Sequence, residues 1–72
     1  MLFLDRLLFL RKQHLITQRE LAANLGLSEV AIQNYESGRR KPAFDVLLAI
    51  ADYFDVSIDY LVGRTDNPEI NK

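Results

Sequence analysis

Five side chains at helical spacing in the middle of the chain could form a recognition surface: Glu29, Val30, Gln33, Asn34 and Ser37. In a helix they would share one face, because they recur every three or four residues. A carboxylate accepts hydrogen bonds and a carboxamide both donates and accepts them, so this face could bind the hydrogen-bonding edge of another molecule. A solvated polar face is the other interpretation of such a stripe, and these residues alone do not decide between the two.

Catalytic chemistry has little support in the sequence. The one histidine, His14, has no cysteine to pair with, because the chain contains none. Nucleophilic catalysis needs a nucleophile with a base in reach, and neither that combination nor a metal-ligand spacing is visible. We therefore expect no enzymatic activity, no cofactor and no metal. His14 is interpreted as a solvated residue at a helix end, where the C-terminal dipole favours it.

A helix before the polar stripe is predicted by its capping signals. Thr17 is a good N-cap, and Glu20 can return a hydrogen bond to the backbone N–H of that cap, so the pair has the form of a capping box. In the helix of about eight residues that follows, Leu21 and Leu25 share one face. Gly26 then falls where a helix C-terminus needs a residue that tolerates a positive φ.

A second helix carries the stripe itself. Ser28 can cap it, Ile32 and Tyr35 form its apolar face, and Gly38 and Pro42 supply the stop signals. Two helices joined by about three residues must cross steeply. That geometry is used to present a helix to DNA, and it needs further elements beneath the apolar faces.

Three further helices are predicted around this pair. Helix 1 runs from about Phe3 to Gln13 and helix 4 from about Phe44 to Phe54, each with apolar residues at helical spacing. Helix 5 is short, since Ser57 can cap it and Gly63 ends it. No segment alternates with period two, so we expect an all-α fold.

Length and composition indicate one small domain. The chain has 72 residues, of which 49% are hydrophobic and 26% charged, which is unlike a disordered chain or a repeat array. We assign residues 1–63 to the domain. Residues 64–72 contain little apolar material and are interpreted as a flexible tail or the start of a linker. No stretch is long and apolar enough to span a membrane.

Charge is unevenly distributed along the chain. The net charge of −1 is not the basic balance expected of a nucleic-acid-binding protein. Residues 1–41, however, hold seven basic and four acidic residues, a net charge of +3, whereas residues 42–72 hold two basic and six acidic residues, a net charge of −4. The positive half contains the paired helices, an arrangement that would orient the molecule on a polyanion.

The segment from about Arg6 to Gly63 resembles the Cro/C1-type helix-turn-helix domains, the XRE-like family of phage repressors and bacterial transcription regulators. The resemblance is carried by Leu10-Arg11, Thr17-Gln18-x-Glu20-Leu21-Ala22, Leu25-Gly26-Leu27-Ser28, Ile32-x-x-Tyr35-Glu36-x-Gly38-x-Arg40-x-Pro42 and Leu47-x-x-Ile50-Ala51-x-x-Phe54-x-Val56-Ser57-x-Asp59-Tyr60-Leu61-x-Gly63. It implies a compact five-helix bundle, the lambda-repressor-like DNA-binding domain, in which helices 2 and 3 form the helix-turn-helix.

The resemblance implies that helix 3 enters the major groove of double-stranded DNA and reads bases with Glu29, Val30, Gln33 and Asn34. Asn and Gln can pair with N6 and N7 of adenine, Glu can accept from N4 of cytosine, and Val can touch a thymine methyl group. The implied protein is a bacterial or phage-encoded transcriptional regulator, most often a repressor, that acts in the cytoplasm at the nucleoid.

Phosphate contacts are expected at the helix ends, from Gln18, Arg19, Ser37, Arg39, Arg40 and Lys41. Gln18 stands at the N-terminus of helix 2, where the dipole and the free N–H groups favour an anion. The basic run after helix 3 could instead be a solubilising loop. The resemblance also pairs Arg11 with Glu36 in a partly buried salt bridge that belongs to the scaffold.

A homodimer on a palindromic operator is the expected assembly, with half-sites about one helical turn apart. The candidate interfaces are the C-terminal helix, with Tyr60, Leu61 and Val62, and an apolar helix 1 surface, with Leu4, Leu8 and Phe9. The second is suggested because residues 8 and 9 are usually polar in such domains, although these side chains could simply cover neighbouring helices.

A protein-binding role is the competing function. The fold could serve as an adaptor or an antitoxin-like partner that has kept the architecture with weak DNA binding. Glu29 favours this alternative, because a carboxylate at the start of the recognition helix would repel phosphates.

Overall fold

The computed structural model describes residues 1–69, and within that range the chain forms five α-helices and no strand. The helices are α1 (Phe3–Gln13), α2 (Gln18–Leu25), α3 (Glu29–Ser37), α4 (Phe44–Phe54) and α5 (Ile58–Leu61). This order confirms the predicted all-α bundle, and α2 and α3 are the two helices joined by a short turn.

Side-chain caps begin three of these helices. Thr17 Oγ1 accepts a hydrogen bond from the backbone N–H of Glu20 at 3.0 Å, and Glu20 Oε1 accepts one from the N–H of Thr17 at 3.0 Å. The predicted capping box is therefore formed. Ser28 and Ser57 cap α3 and α5 in the same way, each accepting from a backbone N–H three residues later.

Left-handed backbone conformations end most of the helices. Gly26 closes α2 with a φ of 70° and Gly38 closes α3 with a φ of 81°, which are values that glycine adopts without steric cost. Asp55 takes the same conformation after α4. Leu15, between α1 and α2, also has a positive φ of 57°, and its side chain is 90% exposed.

The hydrophobic core lies where all five helices meet. Its buried members are Leu7, Leu10, Leu21, Ala22, Ile32, Ile50, Ala51, Phe54, Val56, Tyr60 and Leu61. Helix 1 contributes Leu7 and Leu10, whereas Phe3, which has the same helical spacing, is only half-buried. Because every helix supplies one or more of these side chains, and α3 supplies Ile32, the position of α3 depends on the packing of the whole bundle.

One charged side chain, Arg6, is buried with the core. It is 4% exposed, its guanidinium carbon lies 3.8 Å from the centre of the Tyr60 ring, and Nη2 donates to Asp66 Oδ1 at 3.2 Å. A cation over an aromatic face is attracted by the ring quadrupole. The sequence analysis did not predict burial of this residue, although Arg6 lies three residues after Phe3 and four before Leu10, on the same face of the helix, and that spacing could have indicated it.

The segment after α5 is attached to the bundle. The backbone N–H of Ser57 donates to the carbonyl of Pro68 at 3.0 Å, and Arg6 Nη2 donates to the carbonyl of Thr65 at 3.5 Å. The flexible tail from Arg64 onward stays a prediction, and these contacts show that residues 64–68 lie against the bundle. Low apolar content suggested a tail, but hydrogen bonds and an ion pair hold this segment. Residues 70–72 lie outside the described range.

Candidate nucleic-acid interface

The face of α3 that turns away from the core carries the predicted recognition residues. Ile32 is fully buried against the bundle, whereas Val30 on the other side is 60% exposed. Glu29, Gln33 and Ser37 are exposed as well, and Asn34 is half-buried at the edge of the same face. The structure thus brings the stripe together on one surface.

A hydrogen-bonded network holds α3 against α1 and α2. Arg11 Nε donates to Glu36 Oε2 at 2.7 Å and Arg11 Nη2 donates to Glu36 Oε1 at 3.1 Å, which makes a bidentate ion pair. Arg11 Nη1 also donates to the carbonyl of Ile16 at 3.0 Å. The implied scaffold salt bridge is present, and it fixes the loop before α2 in addition to α3.

Burial and charge shape the chemistry of this ion pair. The Arg11 and Glu36 side chains are 13% and 7% exposed. The hydrogen bond that Arg11 donates to Glu36 raises the pKa of the Arg11 guanidinium above its ordinary value, burial opposes this, and the charge of Glu36 adds to it. A raised pKa on a base gives stability that is complete at every pH below the ordinary value. That stability is lost only as the pH rises through the raised value, in strongly alkaline solution.

Gln18, the first residue of α2, belongs to the same network. Its Nε2 donates to Glu36 Oε1 at 2.9 Å. A carboxamide nitrogen carries two hydrogens, so one remains for a further acceptor. The sequence suggested only the outward role of this side chain and missed its bond to Glu36. Arg19, the next residue, is exposed.

The basic loop after α3 is held by its backbone while its side chains are exposed. The N–H of Arg39 donates to Ser37 Oγ at 3.4 Å, and the N–H of Arg40 donates to the carbonyl of Asn34 at 3.3 Å. Arg39, Arg40 and Lys41 are all exposed, and within residues 1–69 none of them forms an ion pair. Three cations are thereby fixed beside the C-terminal end of the recognition face.

The first predicted dimer surface is wrong for two of its three residues. Tyr60 and Leu61 are 7% and 0% exposed, because they fill the core of their own subunit beneath α1. Side chains buried in this way cannot contact a second subunit. Val62, the third residue, is half-buried.

The helix 1 surface is not one continuous patch. Leu4 and Leu8 are half-buried, and a Leu4 methyl group would lie 3.1 Å from a Cβ at Gly38. Phe9 is 45% exposed. It lies about 100° around the helix from its neighbour Leu8, so it belongs to a different side of the molecule.

His14 contacts other residues of the bundle through its imidazole ring. It ends α1, its Nδ1 lies 2.9 Å from the carbonyl oxygen of Leu10, and its ring packs edge-on against Phe54 with the centroids 4.9 Å apart.

Across the described residues there is no cluster of three or more His, Asp or Glu side chains that could hold a metal ion. No helix within that range is long and apolar enough to cross a membrane.

Proteins of similar sequence match this chain over most of its length. The chain is 38% identical over 68 residues to the HTH-type transcriptional regulator YobD of Bacillus subtilis, covering 94% of this chain and 61% of that protein. It is 40% identical over 60 residues to the cryptic phage CTXphi transcriptional repressor RstR of Vibrio cholerae, covering 83% of this chain and 54% of that protein. The chain thus spans little more than half the length of these two relatives.

Solved structures of the same architecture include the P22 c2 repressor protein in complex with a synthetic operator. The two chains superpose with a TM-score of 0.81 at 34% identity, over 86% of this chain and 94% of that one. A transcriptional regulator from Listeria innocua superposes with a TM-score of 0.80 at 36% identity, over 85% of this chain and 57% of that one. The family model described as helix-turn-helix matches residues 7–61. The chain therefore belongs to the helix-turn-helix family of the Cro/C1 type.

Proposed function

We propose that this chain binds a specific double-stranded DNA site through α3 and acts as a transcriptional regulator, in the first place as a repressor. The observation that carries the proposal is the outward face of α3, with Val30 and Gln33 exposed and Asn34 half-buried at its edge, on a helix that Glu36 bonds to α1 and α2. The P22 c2 repressor, similar over 94% of its chain, is in complex with an operator. The proposal includes action in the cytoplasm, at the nucleoid, by a bacterial or phage-encoded protein.

The base contacts follow from the chemistry of that face. The carboxamides of Gln33 and Asn34 can pair with N6 and N7 of adenine, and Val30 can pack on a thymine methyl group. Glu29 can accept a hydrogen bond from N4 of cytosine. Because the four side chains lie on one face of α3, a single helix could read several successive base pairs from the major groove.

Phosphate contacts come from both sides of this face. Gln18 has one free N–H hydrogen at the start of α2, where unpaired backbone N–H groups also favour an anion. Arg19 lies beside it. On the other side of the face, the exposed side chains of Arg39, Arg40 and Lys41 can reach the phosphates of the DNA backbone. Ser37 is the remaining predicted contact, and its hydroxyl already donates to the carbonyl of Asn34 at 3.2 Å. Contacts of this kind position the protein without reading sequence.

A homodimer on a palindromic operator is part of the proposal. The net charge of −1 predicts modest affinity for a single domain. Two domains on half-sites about one helical turn apart would double the contacts and match the symmetry of the DNA. Since Tyr60 and Leu61 are buried in the subunit, Phe9 is the most exposed candidate contact from the two predicted surfaces, and Leu4, Leu8 and Val62 are half-buried.

The experiment is selection of bound sequences from random DNA, followed by titration of the best site by fluorescence anisotropy. Asn34→Ala should weaken specific binding about 5- to 150-fold, since one bidentate base contact contributes about 1–3 kcal/mol. The dependence of binding on salt should stay unchanged, because this residue neutralises no phosphate.

Arg39→Gln is the matched comparison, because it should weaken binding to all sequences alike and flatten the salt dependence. Absence of saturable DNA binding at low salt would contradict the proposal. That result would favour the protein-binding adaptor. The exposed Glu29 at the start of α3 supports this alternative, because its carboxylate would repel phosphates.

A further inference from the structure

An apolar groove lies next to the basic loop, between the start of α1, the end of α3, α4 and the residue after α5. Its volume is about 500 Å³. The apolar walls are formed by Leu2, Phe3, Leu4, Tyr35, Leu47 and Val62. Small-molecule sites usually have volumes of about 300–1,000 Å³ and walls of this kind with a few polar groups.

Two cations, Arg40 and Lys41, line the same groove. They are its charged residues among those the structure describes, and neither is paired with a carboxylate in that part of the chain. Arg39, their neighbour, is exposed but does not line the groove. Apolar walls with positive charge on one side are complementary to a molecule that has an alkyl part and an anionic end.

We propose that this groove binds a small amphiphilic carboxylate, with its alkyl chain on the apolar walls and its carboxylate on Arg40 and Lys41. Burial of the ligand's alkyl chain supplies affinity in proportion to the apolar area removed from water. The planar guanidinium of Arg40 can donate two parallel hydrogen bonds to a carboxylate, which a neutral alcohol could not match. An alkyl cation would be repelled.

Occupancy of the groove has a consequence for DNA that rests on the proposed function. Arg40 and Lys41 are also proposed phosphate contacts, and a side chain held by a bound carboxylate is no longer free to neutralise phosphate. The carboxylate and the operator therefore compete for the same two cations. A ligand of this class would act as an inducer of DNA release, without any change of fold.

Decanoate is the probe, titrated below its micelle concentration into the full chain labelled at Leu and Val methyl groups and followed by NMR. The methyl signals of Leu4, Leu47 and Val62 should shift along one saturable curve. Those of Leu15 and Val30, which are exposed elsewhere, should stay in place. Absence of saturation, or equal shifts at the exposed methyl groups, overturns the proposal.

Charge selectivity is tested with decan-1-ol and decyltrimethylammonium under the same conditions. Each should bind at least about 10-fold more weakly than decanoate, because hydrogen bonds to charged groups are the stronger ones. Equal binding of the three compounds would reduce the site to an apolar groove and would contradict the assigned role of the cations.

Matched variants test the cations and the apolar walls of the groove separately. Lys41→Gln should weaken decanoate binding, whereas Arg39→Gln, one charge removed from the same loop, should leave it unchanged. Val62→Phe, which fills the groove, should abolish the methyl shifts while thermal unfolding shows that the domain remains folded. Equal affinity in Lys41→Gln and Arg39→Gln overturns the assignment.

Competition with DNA is tested by titrating the operator at several salt concentrations, with and without saturating decanoate. Each series gives the slope of log Kd for DNA against log salt concentration. Occupancy should reduce the slope by about 1.8, since each phosphate contact contributes about 0.9. An unchanged slope overturns the competition. If the protein binds no DNA at all, the proposed function fails, and the methyl titration still decides whether the groove binds the carboxylate.

Discussion

Glu36 has an unusual number of partners for one side chain of a small domain. It accepts two hydrogen bonds from Arg11 and one from Gln18, so it links three helices through one carboxylate. With 7% of this side chain exposed, water cannot replace these partners without opening the bundle. The residue is therefore important for stability as well as for the position of α3.

Glu36→Gln should lower the free energy of unfolding by about 2–3 kcal/mol, because the Arg11 charge is left largely buried without its counter-charge. The substitution preserves the shape of the side chain, so the loss is electrostatic. Urea unfolding followed by circular dichroism measures it. Glu29→Gln, the same change at an exposed position of the same helix, should alter stability by less than about 0.5 kcal/mol. Equal losses in the two variants would show that the network contributes nothing specific.

Leu15, in the loop between α1 and α2, has a strained left-handed backbone conformation. A left-handed conformation is disfavoured for a side chain with a Cβ, and a leucine that is 90% exposed recovers no burial in return. Leu15→Asn should raise the free energy of unfolding by about 0.5–1 kcal/mol, since asparagine tolerates this conformation better. Thermal unfolding measures the change. Val30→Asn, made at an exposed helical position, should give no comparable gain, and a loss of stability in Leu15→Asn would refute the explanation.

Helix ends are where local sequence determined most of the fold. The capping box at Thr17, the serine caps of α3 and α5 and the left-handed glycines at 26 and 38 all act through groups within a few residues. Such signals can be recognised without knowledge of the tertiary structure. The recognition face could be predicted for the same reason, because helical spacing alone places Gln33 and Asn34 together.

Long-range contacts could not be predicted from the same signals. Arg6 is bonded to Thr65 and Asp66, about sixty residues along the chain, and nothing near it in sequence indicates those partners. The bond from Gln18 to Glu36 and the burial of Tyr60 in its own subunit have the same character. Each depends on how complete helices pack, which local spacing does not determine.

Gly63 connects α5 to the start of the chain. Its φ is 83°, and a Cβ at this position would overlap the backbone carbonyl of Met1. Gly63→Ala should therefore cost more than about 2 kcal/mol, the sum of left-handed strain of about 1–2 kcal/mol and displacement of the first residues. Gly26→Ala, also left-handed but with open space around the Cβ, should cost only the strain. Urea titration of both variants measures the difference, and equal costs would show that the contact with Met1 is not needed.

Charge separation is a property of the complete molecule. The half with a net charge of +3 contains the recognition face and the basic loop, and the half with a net charge of −4 contains α4 and α5. A polyanion therefore attracts the part of the chain that carries the recognition face and repels the part that carries α4 and α5, which favours productive orientation even though the total charge is close to zero.

Replacement of Arg39, Arg40 and Lys41 by Gln should reduce the slope of log Kd against log salt by about 2.7, with a contribution of about 0.9 from each lost phosphate contact. Anisotropy titrations between low and moderate salt measure this slope. Asp52→Asn, at an exposed position of α4, changes the total charge without touching the basic loop, so its slope should match that of the unmodified chain. A triple variant with an unchanged slope would assign the loop to solubility rather than to DNA.

The three-way bond at Glu36 has a consequence for how this sequence can vary through evolution. A change at position 36 leaves Arg11 and Gln18 without their acceptor, and a change at position 11 leaves a buried carboxylate without its cation. Single replacements are therefore penalised, while joint replacement by an apolar set of similar volume is tolerated. Positions 11, 18 and 36 are expected to diversify as a linked trio, whereas the recognition positions beside them are free to change one at a time as operators diverge.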